Sequence, residues 1–419
     1  MSKASGWVRR AICILLAAIA CGYILQVLVY LIPVKMMNAQ KVSTAAMLSD
    51  MGNQLRDPVS GRDIDNYADS MTVLLATYDG TETVFEKAAN SYYYGIDPIH
   101  PRQSLVESTL DGQETNRYSY GRYWHGNLLF MKTMLLFFDL AVIRNINTVF
   151  MFVLIAILLV FMWKKLREAL IPFILMILLI APTAAGQCFE YSFAVHIMLL
   201  ASIFYLWNPG DFFSGERLYY LFLISGILLA YFDFMTAPTI TLTFPLALVC
   251  LNEKRTWKSL IFCGVFWGIG YAGMWAGKWL IALISMKSEF FDDLTMHLHL
   301  WTAAELPEKS EEISRIETLN KNLRALFNSM EIDIALLVYS VAALLNTTLK
   351  RKDLTVVRID SSLSLFLPGV IGIAWILVLA SHSNVHTFFT YRTLAPCVFC
   401  MLCALNIGGF SIKRHFKEK

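Results

Sequence analysis

The residues of this chain that could do acid–base or phosphate chemistry are few, and most of them lie beside apolar runs. The stretch RDIDNYADSMTVLLA holds Asp65 and Asp69 at i, i+4, so both lie on one face if a helix has begun by then. Either could take a proton as a general base. The plainer alternative is that Asp65 caps the helix and Asp69 is solvated. YSYGRYWHG packs Tyr118, Tyr120, Arg122, Tyr123, Trp124 and His125 around glycine. Such a group suits stacking on a sugar ring and pairing with phosphate, or anchoring at a membrane interface. HSNVHTFFTYR sets His382, His386 and Arg392 between two strongly apolar runs. Lys278, in WAGKWLIA, sits inside another, where an ionisable side chain is costly unless it snorkels to the interface. Asp233, in YFDFMTAP, is a turn or cap beside Pro238 or part of a substrate site. Glu190, in GQCFEYS, reads as an ordinary helix-start carboxylate, and His196 as a histidine bonded within a helix bundle.

The elements that must position these groups follow from hydropathy. Apolar residues make up 57% of the 419 and charged residues 16%, against about 25% charged in a soluble domain. The apolar residues fall in blocks of about 20, enough to cross a hydrocarbon core of roughly 30 Å. The expectation is an all-α, polytopic transmembrane bundle, with residues 1–419 forming one integral membrane domain. A net charge of +3 is too small to imply a nucleic-acid partner. CVFCMLC has metal-like spacing, but it lies in an apolar block with no other ligand nearby, so its cysteines read as packing residues. No metal, cofactor or disulfide framework is implied. There is no phosphate-binding glycine loop, H-E-x-x-H or G-x-S-x-G.

Charge sets the expected topology. Lys3/Arg9/Arg10, Lys164/Lys165/Arg167, Lys254/Arg255/Lys258, Lys350/Arg351/Lys352 and Lys413/Arg414/Lys417 alternate with apolar blocks. Positive residues stay cytoplasmic in short loops. About ten spans put every cluster inside, near 9–32, 146–163, 168–185, 190–207, 217–235, 237–252, 259–285, 332–349, 363–381 and 393–410. Both termini are then cytoplasmic in a multi-pass cell-membrane protein. Two long segments face outward, 33–144 and 286–331. The first ends in NLLFMKTMLLFFDLAVIRN, read as a helix lying in the outer interface. The second contains SEEISRIETLNKNLRALF, an amphipathic helix by the spacing of Ile313, Ile316, Leu319, Leu323 and Leu326, resting on the membrane or on the first loop. The glycine pairs Gly264/Gly268 and Gly273/Gly277 allow close helix approach.

One chemistry uses all the outward groups. Arg392, Lys278, His382 and His386 would hold the phosphate of a lipid carrier at headgroup level. Asp69, or else Asp65, would act as base on an acceptor hydroxyl. Arg122, Trp124, His125 and Asp233 would line the sugar site. The architecture, with YSYGRYWHG, YFDFMTAPTITLTFPL and HTFFTYR, resembles polytopic GT-C glycosyltransferases and is similar to uncharacterised bacterial surface-polysaccharide membrane proteins. The resemblance implies sugar transfer, hexosyl or pentosyl, from a polyprenyl-phosphate donor in the membrane to a glycan or cell-envelope acceptor. In that family the acidic residue often follows the first span closely, whereas here Asp50 is the first acidic candidate after it. A transporter or flippase for lipid-linked glycan is the alternative. It would want ionisable residues near the midplane, where this chain is nearly uncharged. A polysaccharide polymerase would tend to carry its main outer loop late in the chain.

Overall fold

The computed structural model describes residues 3–253, 256–286, 288–302, 313–349 and 364–407. The chain is mostly helical, with little sheet. Five of its described helices are long and apolar enough to cross a membrane, or six if a bent pair counts as one span. The long helices are α1 (Lys3–Tyr30), α7 (Leu140–Lys165), α10 (Phe189–Trp207), α13 (Trp257–Met286) and a continuous run from Thr387 to Asn406. That run comprises α19 (Thr387–Thr390), a 3-10 turn and α20 (Ala395–Ile407).

Among the described residues, ten full-length spans are not seen. Segments 168–185, 217–235, 237–252 and 363–381 carry the shorter helices α8 (Leu170–Ile180), α11 (Arg217–Phe232), α12 (Ile240–Asn252) and α17 (Phe366–Val378). Helices of 11 to 16 residues reach roughly 16–24 Å at 1.5 Å per residue. The cause is local. Ala181 takes a left-handed φ of 57° before Pro182, which ends α8 and starts the short α9 (Pro182–Gly186). Leu379 leaves helical geometry between α17 and α18 (Ala380–Val385). Helix α16 (Met330–Leu349) follows α15 (Arg315–Leu326) across a 94° bend.

The first long segment is a folded unit at one end of the bundle. It contains α2 (Asn38–Ser49), α3 (Asn66–Ala76), α4 (Val84–Asn90), α5 (Pro101–Leu110) and α6 (Leu128–Met134). Two small antiparallel hairpins complete it: β1 (Gln54–Arg56) with β2 (Asp63–Asp65), and β3 (Tyr92–Gly95) with β4 (Asn116–Ser119). Leu48, Val73, Leu105, Leu128 and Met131 share a core with Val29 of α1 and Ile143 of α7. The expected interface helix is therefore corrected: α6 is packed inside this core, buried Lys132 included, and α7 begins at Leu140 under the Asp139 cap. Arg9, Arg10, Lys164, Lys165, Arg217 and Lys258 lie toward the ends of their helices remote from this unit.

The second segment is corrected as well. It carries an additional helix, α14 (Ser288–Thr302). Helix α15 turns Thr318, Asn322 and Leu326 inward and leaves Ile316 exposed. Its partner is the HSNVHTFFTYR stretch: Asn322 donates to the Ser383 carbonyl at 3.0 Å and accepts from Thr390 Oγ1 at 2.7 Å. Arg62 of the first segment also reaches it, donating to the Leu326 carbonyl at 2.9 Å. Of the glycine pairs, Gly273 and Gly277 pack against Leu15 and Ile19 of α1, while Gly264 and Gly268 meet nothing. A close helix approach is made instead by Gly226 and Gly270, where α11 and α13 touch backbone to backbone.

Candidate functional site

A cavity of about 660 Å³ opens between the start of α3, the 120–125 loop, the first turn of α10, α14 and residues 381–389. Asp65, Arg122, His125, His382 and His386 line it, as do Glu190, Tyr67, His297 and Trp301.

The carboxylate side is built where α3 meets α10. Asp65 is the N-cap of α3, and its Oδ1 accepts from the backbone N–H of Tyr67 and Ala68 at 2.9 and 3.2 Å. Burial raises its pKa to about 7. One turn on, Asp69 is fully buried. Its Oδ2 takes 2.8 and 2.7 Å contacts from Nε and Nη2 of Arg144, and its Oδ1 accepts from the Phe189 N–H at 2.9 Å. Burial pushes this carboxyl up, and the Arg144 guanidinium opposes that. Glu190 follows Phe189 in the same turn of α10 and reaches the cavity wall half-buried.

The aromatic side is held by long-range hydrogen bonds. Gln26 of α1 donates to the His125 carbonyl at 2.9 Å, and Gly126 N–H donates to the Tyr231 carbonyl at 2.8 Å. A Cβ on Gly126 would stand 2.4 Å from the Tyr231 ring, so only glycine fits. His125 itself has φ of 55°, with Nε2 2.8 Å from the Tyr120 carbonyl. The Arg122 guanidinium lies over the Tyr120 and Tyr123 rings, 4.5 and 5.6 Å from their centroids, and its carbonyl accepts from Trp279 at 3.1 Å. His382 donates through Nε2 to the Met235 carbonyl at 3.2 Å, and His386 stacks on Phe389. Burial lowers the pKa of His125 to about 3, of His382 to about 4 and of His386 to about 3. At neutral pH these imidazoles are uncharged hydrogen-bonding groups.

The other expected site residues are held elsewhere. Arg392 lies between the Tyr191 and Tyr391 rings, 4.8 Å from each centroid. Its Nε donates to the Ile180 carbonyl at 2.8 Å, so it caps the C-terminus of α8 where Ala181 breaks the helix. Lys278 is fully buried and donates to the Ala89 and Ala88 carbonyls at 2.6 and 3.3 Å, closing the end of α4. Trp124 donates to the Met274 carbonyl at 2.7 Å and packs on Tyr231. Asp233 accepts from the Thr236 N–H at 3.0 Å and holds the turn after α11. Asp69 stays behind Asp65 in its ion pair.

Among the cavity residues, Tyr67, His297 and Trp301 were not singled out in the sequence, and Glu190 was read there as an ordinary helix-start carboxylate. The string MHLHLW (296–301) was a signal for α14, with histidine and tryptophan on one face of an apolar stretch. Among the described residues, no group of three or more His, Cys, Asp or Glu is arranged to hold a metal ion. No family model, curated protein or solved structure matches the chain.

Proposed function

We propose that the protein is a membrane glycosyltransferase of GT-C type, moving a sugar from a polyprenyl-phosphate donor to a glycan or cell-envelope acceptor. The observation that carries the reading is the make-up of the cavity wall. Two carboxyl groups, an arginine, neutral imidazoles and several aromatic rings surround a space within the usual range of roughly 300–1,000 Å³ for small-ligand sites. Aromatic faces take a sugar ring. Arg122 pairs with the donor phosphate and steadies it as it leaves. The carboxylate side takes the proton of the acceptor hydroxyl. Lys278 and Arg392 are left out of this scheme, since they do not line the cavity and they donate to backbone carbonyls elsewhere.

The finer topology belongs to the same proposal: about ten passes, some through broken helices, with both termini cytoplasmic and the cavity outside. The basic helix ends remote from the cavity support it. A cysteine placed at exposed Gln113 then reacts with an impermeant thiol reagent in intact cells, and one at exposed Ser214 does not. The reverse pattern inverts the protein.

The decisive assay offers purified protein polyprenyl-phosphate hexoses and pentoses and follows both donor binding and release of polyprenyl phosphate. Transfer without any nucleotide sugar is expected. Strict dependence on a nucleotide sugar overturns the reading. The helix breaks at Ala181 and Leu379 favour a second one, a lipid-linked glycan transporter. Gradient-driven glycan movement without transfer would establish it.

A further inference from the structure

We infer that Glu190 is the general base of the proposed transfer and that Asp69 is the residue that positions it; this rests on the glycosyltransferase reading above. Three acids meet where α3 packs against α10, and their hydrogen bonds divide the work. Oδ1 of Asp65 is engaged by two backbone N–H groups, so the cap of α3 depends on its staying in place. Asp69 is buried and engaged on both oxygens, by Arg144 on one side and by the Phe189 N–H on the other. Glu190 differs from both. It lines the cavity, and among the described residues no hydrogen bond or ion pair engages its carboxylate. The backbone leading into it is fixed by the anion beneath, because the Phe189 N–H donates to Asp69 Oδ1 at the positive end of α10.

A ligand is called for by a separate feature of the same cavity. His125 is 1% exposed, lines the wall and, among the described residues, has no partner for Nδ1. A hydroxyl of the sugar or acceptor would satisfy that atom. In the step itself, the acceptor O–H gives its proton to the Glu190 carboxylate. The freed oxygen lone pair bonds to the anomeric carbon. The bond from that carbon to the phosphate oxygen breaks, and its electron pair leaves on polyprenyl phosphate beside Arg122. Glu190 then returns the proton to solvent.

The test measures donor affinity, turnover and thermal unfolding with the polyprenyl-phosphate sugar that gives the highest wild-type rate. Glu190→Gln is expected to keep donor affinity and lower kcat by roughly 10²–10⁴. Formate should restore part of the activity of Glu190→Ala, since a small carboxylate can occupy the vacated space. Asp69→Asn should lower kcat with no rescue by formate. Combined with Glu190→Gln it should add little, because the two residues act as one unit. Wild-type turnover in Glu190→Gln overturns the assignment, and so does formate rescue of Asp65→Ala but not of Glu190→Ala. Fully additive losses in the double variant overturn the positioning role. Wild-type protein that transfers from no donor overturns the glycosyltransferase reading, and the inference falls with it.

Discussion

Arg122 and Arg392 both lie on pairs of tyrosine rings, at 4.5 and 5.6 Å for the first and 4.8 Å twice for the second. Their surroundings separate them. Arg392 stands beside a helix broken at Ala181, whose last carbonyls have no partner within the helix, and it is drawn to them. Arg122 lies in a loop whose own backbone is held by Trp279, and it lines the cavity. Lys278 belongs with Arg392, since it too closes a helix end. In a chain this apolar, a buried cation is first a candidate partner for exposed backbone carbonyls, and only then a candidate for ligand.

Substitutions can break or sharpen this contrast, and the largest effect is expected at the ion pair behind the cavity. Arg144→Met leaves the Asp69 carboxylate buried without its cation, which typically costs about 3–5 kcal/mol. Denaturant unfolding should show this loss, and adding Asp69→Asn should recover much of it. Next comes Arg392→Met, which strands the Ile180 carbonyl and should lower stability by about 1–3 kcal/mol. The protein that remains folded should bind donor normally; weakened binding at unchanged stability would move Arg392 into the site. Arg122→Gln should do the opposite, with unfolding nearly unchanged and donor affinity reduced about tenfold, or about 1.4 kcal/mol. The last effect concerns pH. Burial raises the Asp65 pKa to about 7, so the folded state keeps a proton that the unfolded chain loses near pH 4. The contribution of Asp65 to stability therefore falls as pH rises from about 4 to about 7. Asp65→Asn, which can still cap α3, should remove that part of the slope in unfolding measured across the range.

The helical class and the long segment between α1 and α7 were legible because apolar blocks and a long polar stretch are properties of local sequence, while the packed core of that segment was not. The YSYGRYWHG loop was legible in part: Arg122 and His125 line the cavity, while Trp124, of the same string, is buried against Met274 and Tyr231. Composition cannot divide those neighbours, since the division is made by Gln26 and Tyr231, about 100 residues away on either side. The loop-to-helix string marked Asp65 as the cap of α3, whereas Asp69, solvated in that reading, is buried on an inward face of the helix. What that face meets is the first turn of α10, which hydropathy alone does not place. Glu190 was not placed in the site for the same reason: an acid at a helix start is common, and its cavity exists only once α3, α10, α14 and residues 381–389 have come together. The break at Ala181 is the least readable feature, because alanine carries no signal for a left-handed backbone, and the role of Arg392 depends on it.

The contact of α11 with α13 has a consequence for synthesis. A Cβ on Gly226 would lie 2.2 Å from the Trp267 carbonyl oxygen, and one on Gly270 would lie 2.2 Å from that of Leu223, so each helix completes the other's surface. The ribosome makes Gly270 about 44 residues after Gly226, a delay of roughly 2–9 s at 5–20 residues per second. During that interval α12 is made, and the groove at Gly226 still lacks the helix that fills it. The surface of α11 is therefore completed only after α13 has been made.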